Sequence, residues 1–122
     1  MEYGRAVIVD DLGLLELRPS HQPAIYDRDI GLRLLYQDPD SGAEHYLGRY
    51  PPGLKARSHR HTAAHTIVVL EGRLEANGHV IGPGAYCHFP PGEAMWHAPA
   101  EDDSCLFISI FHGVSDVEPI DE

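Results

Sequence analysis

Three histidines lie within seven consecutive positions of this chain, at His59, His61 and His65. Residues two apart in a β-strand share a face, and a residue four positions further on has the same parity. The three imidazoles therefore converge if the strand continues or bends gently. Unpartnered imidazoles are costly to bury, and protonated imidazoles repel one another. A divalent metal ion resolves both problems, because imidazole is a common metal ligand.

A solvated, histidine-rich turn beside Arg57 and Arg60 is the alternative interpretation of this segment. A bare pair of histidines two residues apart would favour that alternative. Three histidines of shared parity that lead directly into an apolar strand favour the metal site instead.

The composition bounds the kind of protein that carries these histidines. Hydrophobic residues make up 43% and charged residues 23% of the 122 residues, which predicts one folded domain. The formal net charge of −10 disfavours nucleic acid and acidic membrane surfaces as partners and favours a small neutral or weakly charged substrate. The sequence has no leader pattern and no apolar run long enough to span a bilayer, so we expect a cytoplasmic protein.

Short apolar segments between glycine and proline turns predict an all-β chain without long helices. Asn77-Gly78 is a typical two-residue hairpin turn. Strands are predicted over residues 6–9, 12–17, 32–36, 44–50, 65–71, 73–76, 79–81, 86–89 and 104–111. We expect a turn or loop over 18–22 and a frayed acidic tail over 116–122. Strands this short and closely spaced are typical of a sandwich or a small barrel.

The first histidine cluster lies in a longer pattern with a known likeness. Gly53-x5-His59-x-His61-x3-His65-x6-Gly72 resembles the first motif of the cupin superfamily, G-x5-H-x-H-x3,4-E-x6-G. The resemblance implies a small antiparallel jelly-roll β-barrel that binds one metal ion inside. It covers about residues 43–112 of a single domain spanning 1–122, with N-terminal strands in 1–30 and an acidic tail over 113–122.

A second motif of the same superfamily, G-x5-P-x-G-x2-H-x3-N, resembles the segment that begins at Gly84 and continues through Pro90 and Gly92. Met95 occupies the position where this motif has its histidine, and His97 follows two residues later. The resemblance therefore implies His97 as the fourth ligand, through a two-residue insertion. His88 in the strand 86–89 is the competing candidate.

The position of the superfamily's glutamate is occupied by His65. An all-histidine set resembles a four-histidine subgroup, which includes small manganese cupins, zinc polyketide cyclases and relatives of β-diketone-cleaving dioxygenases. The implied cofactor is one divalent ion of Fe, Mn, Cu or Zn, and the implied assembly is a homodimer. Residues 38–42, 49–53 and 90–99 also look like the cupin domain of the ChrR anti-sigma factor.

Three functions follow from this resemblance. We expect a metal-dependent enzyme that acts on a small oxygenated organic molecule, with dioxygenase-type C–C bond cleavage as the first hypothesis. A non-redox zinc cyclase, isomerase or lyase is the second, and a non-catalytic metal-binding or ligand-binding sensor module is the third. Glu93 is the nearest carboxylate for acid–base work. The candidate pocket residues are Tyr86, Phe89, Met95, Trp96 and Phe107.

Overall fold

The computed structural model describes residues 6–120, and the fold of this part of the chain is built from antiparallel strands. One short 3-10 helix spans Leu12–Leu14. The strands are β1 (Arg18–Ser20), β2 (Ile30–Gln37), β3 (Glu44–Tyr50), β4 (His59–His61), β5 (His65–Gly72), β6 (Leu74–Ala76), β7 (His79–Ile81), β8 (Tyr86–Phe89), β9 (His97–Pro99), β10 (Cys105–Phe111) and β11 (Val117–Pro119). The predicted all-β class is confirmed. Among residues 6–120, no helix is long and apolar enough to cross a membrane.

The largest sheet has six strands in the order β1-β2-β3-β10-β5-β8. Strand β10 lies near its centre and pairs with β3 over seven residues, from Cys105 opposite Tyr50 to Phe111 opposite Glu44. On its other side β10 pairs with β5, with a register shift between Leu106 and Phe107. Partnered residues of antiparallel strands share a face, so this register fixes which side chains point into the protein.

Two smaller sheets, β7-β6-β9 and β11-β4, complete the architecture. His59 and Met95 join them through reciprocal backbone hydrogen bonds of 2.8 Å. One buried apolar cluster contains residues from the six-stranded sheet and from the three-stranded sheet, among them Ile67, Leu74 and Phe107. The core therefore lies between the sheets, and β4 is placed beside it.

Two turns depend on backbone conformations that favour glycine or asparagine. Asn77 and Gly78 have φ of 48° and 86°, which confirms the predicted hairpin between β6 and β7. Gly72, which ends β5, has φ of 73°, and a Cβ added there would lie 1.8 Å from the Ser104 carbonyl oxygen. No other residue fits this close approach without movement of the backbone.

The N-terminal strands predicted over 6–9 and 12–17 are wrong. Residues 6–9 form no strand, and residues 12–14 form the 3-10 helix, where the Asp11 carboxylate accepts a hydrogen bond from the Gly13 amide. The large sheet ends at β1, and no segment of residues 6–17 pairs with the open edge of that strand. Apolar composition alone did not carry this information.

Two strands form where a loop and a frayed tail were expected. Strand β1 contains Pro19, which is tolerated because β1 is an edge strand and needs no amide donor on its open side. Strand β11 pairs with β4, with Val117 opposite His61 and Pro119 opposite His59. The tail therefore supports the strand that carries two of the histidines.

We expect Gly72→Ala to lower the free energy of unfolding by about 3 kcal/mol, because positive φ and a backbone clash act together. Gly78→Ala is the matched control, since its φ is also positive but a Cβ there meets no atom within 4 Å. That control should cost only about 1 kcal/mol. Urea unfolding of the chelator-treated protein measures both values, and equal losses would contradict the role given to the Ser104 contact.

Candidate metal centre

Four buried histidines face one another where β4, β5 and β9 meet. His59 and His61 lie on β4, His65 begins β5 and His97 begins β9, and all four are at most 4% exposed. Ring centroids are 4.9 Å apart for His59–His61 and for His61–His65, 5.4 Å for His65–His97 and 5.1 Å for His59–His97. Each ring therefore has two imidazole neighbours, and the four enclose a common centre.

The chain reaches this arrangement by bending, as the parity argument allowed. Strand β4 ends at His61 and β5 begins at His65, so the intervening residues carry the chain from a small sheet to the large one. His59 and His61 therefore approach from one sheet and His65 from another. His97 arrives from β9, which is brought next to β4 by the bridge between His59 and Met95.

The hydrogen bonds of the rings leave specific nitrogens free. The backbone oxygen of Arg57 lies 2.9 Å from His59 Nδ1, and the Tyr50 hydroxyl lies 2.5 Å from His97 Nδ1. Nε2 of both rings, and both nitrogens of His61, are buried without a hydrogen-bond partner. One ligand atom from each of these three histidines lies within 4.8 Å of the others. This three-histidine group could hold a metal ion, which would satisfy the unpartnered nitrogens.

His65 lies against the three-histidine group with a different set of contacts. Its Nε2 lies 2.6 Å from the Ser109 Oγ, while its Nδ1 is buried without a partner. The ring stacks on Phe111, with centroids 4.3 Å apart and an angle of 10° between the planes. Two neighbours thus fix the ring, and only Nδ1 remains free to bind an ion.

Burial keeps these histidines neutral. Desolvation lowers the pKa of His61 to about 4, with a further contribution from the charge of His59. Desolvation also lowers the pKa of His59, and it lowers those of His65 and His97 well below the usual value. Neutral rings have a free lone pair, so the site is prepared for a cation near pH 7.

A cavity of about 200 Å³ opens onto three of the histidines. Its walls are mostly apolar and aromatic, with a few carboxylate, hydroxyl and amide groups. None of the described residues that line it is a lysine or an arginine. The lining residues are Gln22, Ile25, Tyr26, Ile30, Leu32, Glu44, Tyr46, Tyr50, His61, His65, His97, Phe107, Ser109, Phe111, Ser115 and Val117.

Of the five pocket residues suggested by the sequence, the structure brings only Phe107 to this cavity. Tyr86 is opposite Val68 on the outer face of β5 and is 65% exposed. Phe89 and Met95 are buried in the apolar core, and Trp96 alternates with the inward-facing His97. The cavity is instead lined by residues of β2, β3 and the segment before them. Strand pairing determines which of these residues face the histidines.

His88 and Glu93, the two other candidates from the sequence, lie away from the cavity lining. His88 is exposed on β8, where its Nδ1 lies 2.7 Å from the Thr66 hydroxyl. The same hydroxyl is 2.7 Å from His112 Nε2. Thr66 faces away from its neighbour His65, so His88 is on the opposite side of the sheet from the metal centre. Glu93 is exposed in the turn after Gly92.

Two tyrosines that the sequence reasoning did not identify connect to the metal centre. The Tyr50 hydroxyl contacts His97 Nδ1 and is 2.7 Å from the Tyr26 hydroxyl. Desolvation raises the pKa of both phenols, so both keep their protons at neutral pH. Glu44, Tyr46 and Tyr50 lie two or four positions apart on β3, so their side chains share one face of the strand. This pattern in the sequence could have identified Tyr50.

The chain is similar to one described protein family and to several solved structures. A family model described as the ChrR cupin-like domain matches residues 20–115 of the chain. A comparison with curated protein sequences finds no match.

Several solved structures share the fold. A cupin-like protein from Thermotoga maritima is 19% identical, with 91% of this chain and 89% of that chain covered and a TM-score of 0.78. An acetylacetone dioxygenase from Acinetobacter johnsonii is 18% identical, with 96% and 80% covered and a TM-score of 0.73. The polyketide cyclase RemF from Streptomyces resistomycificus is 20% identical, with 87% and 81% covered and a TM-score of 0.72. The predicted jelly-roll fold is confirmed by these similarities.

We expect the chelator-treated protein to lose stability as the pH falls from about 6.5 towards 4. Histidines of the unfolded chain take up protons near their usual pKa of 6.5, while the folded His61, with a pKa of about 4, resists protonation. The unfolded state then binds more protons, so unfolding becomes easier. Urea unfolding at pH 7.5, 6 and 5 should show a smaller fall for His61→Leu than for the native chain. The exposed His79→Gln should keep the native fall, and identical curves for all three proteins would contradict the argument.

Proposed function

Because the chain belongs to the ChrR cupin-like domain family, we propose that it is a metal-dependent enzyme acting on a small oxygenated organic molecule. The observation that carries this proposal is the set of buried, unpartnered imidazole nitrogens beside an apolar cavity. Burying ring nitrogens without a hydrogen-bond partner costs folding free energy, and the described residues of the surrounding core supply no other partner for them. A bound cation beside an accessible cavity is typical of a catalytic metal site.

We assign His59, His61 and His97 as metal ligands, with His65 as the fourth. His59 and His97 would bind through Nε2, because their Nδ1 atoms are already hydrogen-bonded. His65 would bind through Nδ1, since Ser109 holds its Nε2. Four neutral imidazoles leave the double charge of the ion uncompensated, so the bound metal would supply a Lewis acid that favours an anionic oxygen ligand such as an enolate or a diketonate.

The cavity favours a compact substrate whose only anionic group is the one held by the metal. None of the described lining residues is a cation, and the Glu44 carboxylate repels a second anionic group. Apolar walls that include Ile25 and Leu32 suit a hydrocarbon substituent. The buried Ser115 Oγ, which has no partner, and the Gln22 side chain offer hydrogen bonds to oxygen atoms.

We propose oxidative cleavage of a C–C bond in a chelating dicarbonyl or related compound as the reaction. The fold similarity to an acetylacetone dioxygenase supports this choice. Non-redox zinc chemistry, such as cyclisation, is the second candidate, and the similarity to a polyketide cyclase favours it. The two differ in whether oxygen is consumed. The sensor function, the cytoplasmic location and the homodimer stay predictions of the sequence.

Metal content is the first measurement for this proposal. Protein purified without a histidine tag or a nickel column should contain about one equivalent of a divalent metal by elemental mass spectrometry. His59→Ala should lose most of it, whereas His88→Ala, which removes an exposed histidine on the outer face, should keep it. Iron, manganese or copper would favour the oxygenase, and zinc would favour the cyclase. A metal-free native protein that also takes up no added ion would overturn the proposed function.

Oxygen consumption then tests the reaction itself. The metal-loaded native protein should consume oxygen with a β-diketone such as acetylacetone, and the His59→Ala variant should not. A native protein that carries a redox-active metal but consumes no oxygen with any of a series of β-diketones would contradict C–C bond cleavage.

The His65→Glu variant tests the four-histidine assignment. A carboxylate at this position introduces a negative charge beside the ion and removes the ring that packs on Phe111 and contacts Ser109. We expect metal affinity to change by about tenfold or more, with a matching change in turnover. Competition with a fluorescent chelator measures the affinity. Unchanged metal affinity and activity would mean that His65 is not a ligand.

A further inference from the structure

A chain of hydrogen bonds runs from the metal centre to the wall of the cavity. His97 Nδ1, the Tyr50 hydroxyl and the Tyr26 hydroxyl follow one another at 2.5 Å and 2.7 Å. All three side chains are buried, and all three line the cavity. The Tyr26 ring lies against both others, with centroids 5.4 Å from Tyr50 and 6.4 Å from His97.

Two directions let Tyr50 accept one of these hydrogen bonds and donate the other. If Tyr50 accepted both, its own buried O–H would have no acceptor among the described residues. Each phenol has one O–H to donate, and a neutral imidazole has one N–H. In the first direction Tyr26 donates to Tyr50 and Tyr50 donates to His97 Nδ1, which leaves the ring proton on Nε2. In the second direction His97 Nδ1–H donates to Tyr50 and Tyr50 donates to Tyr26.

Only the second direction leaves His97 Nε2 with a lone pair for a metal ion. It also leaves the Tyr26 hydroxyl with a hydrogen to donate. Among residues 6–120, the Tyr26 hydroxyl has no hydrogen-bond partner other than Tyr50. In the second direction Tyr50 is the donor in that bond, so the hydrogen of the Tyr26 hydroxyl has no acceptor there. Because Tyr26 lines the cavity, the acceptor must be an occupant of the cavity.

We propose that Tyr50 is a positioning residue that selects the metal-binding tautomer of His97, and that Tyr26 donates a hydrogen bond to an oxygen of the metal-held ligand. This inference rests on the proposed function. It narrows the ligand to compounds with an acceptor oxygen beyond the atom that first contacts the metal, as in a chelating dicarbonyl. Simple monodentate ligands gain nothing from Tyr26.

Calorimetry tests both parts: zinc is titrated into the chelator-treated protein, and acetohydroxamate, a chelating oxygen ligand, is titrated into the zinc-loaded protein. Tyr50→Phe should weaken zinc binding about tenfold, because the support of His97 is lost. Tyr26→Phe should weaken zinc binding less than Tyr50→Phe does, because His97 keeps its partner, but should weaken acetohydroxamate about fivefold to tenfold, the loss of one hydrogen bond. Tyr86→Phe, which removes an exposed phenol on the outer face, should change neither affinity.

Nitrogen-15 NMR of the chelator-treated protein gives a readout that a purely structural role would not change, because no metal ion then fixes the tautomer of His97. The His97 proton should be on Nδ1 in the native protein, and Tyr50→Phe should lose this preference; the signal assignment is independent of turnover. A proton on Nε2 would overturn the positioning role of Tyr50, and unchanged acetohydroxamate affinity in Tyr26→Phe would overturn the donor role. A native protein that binds no zinc would instead overturn the proposed function. If Tyr50→Phe does not fold, the NMR signal of the native protein and the Tyr26→Phe affinities still decide both parts.

Discussion

The cost of burying several imidazoles without hydrogen-bond partners is the constraint on which the rest of this structure depends. His61 has two buried nitrogens with no partner, and His59, His65 and His97 have one each. A core can exclude such groups or supply a common partner for them, and here the chain holds them at the junction of three strands. Burial lowers the pKa of each of these rings, so the same packing that defines the fold also keeps the rings neutral.

Strands β3, β10 and β11 help to hold this junction. Strand β10 fixes Ser109 and Phe111 against His65, and β3 supplies Tyr50 to His97. Strand β11 hydrogen-bonds to β4, which carries His59 and His61. The contacts to the rings therefore come from strands that are distant in sequence. This support leaves one nitrogen free on His59, His65 and His97, whereas both nitrogens of His61 are free. Contacts of this kind preorganise side chains for a bound ligand.

The parts of the structure predicted from sequence are those decided by local chemistry. Strand β3 and the Asn77-Gly78 hairpin follow from alternation and turn chemistry, and the approach of His59 and His61 follows from parity. The tyrosine chain could not be predicted, because Tyr26, Tyr50 and His97 meet only through tertiary packing. The sequence placed the cavity wall in the wrong segments for the same reason. Alternation along β8 does not show which face of β5, its partner strand, points to the core.

The spacing of the four histidines along the chain has a thermodynamic consequence for any ion that they bind. His59, His61 and His65 lie within seven residues, so an unfolded chain still offers a chelating segment, whereas His97 joins them only after β9 docks against β6. An ion that binds both states stabilises the folded one only by the difference between its two affinities. A bound ion would therefore stabilise the fold by less than its total affinity suggests.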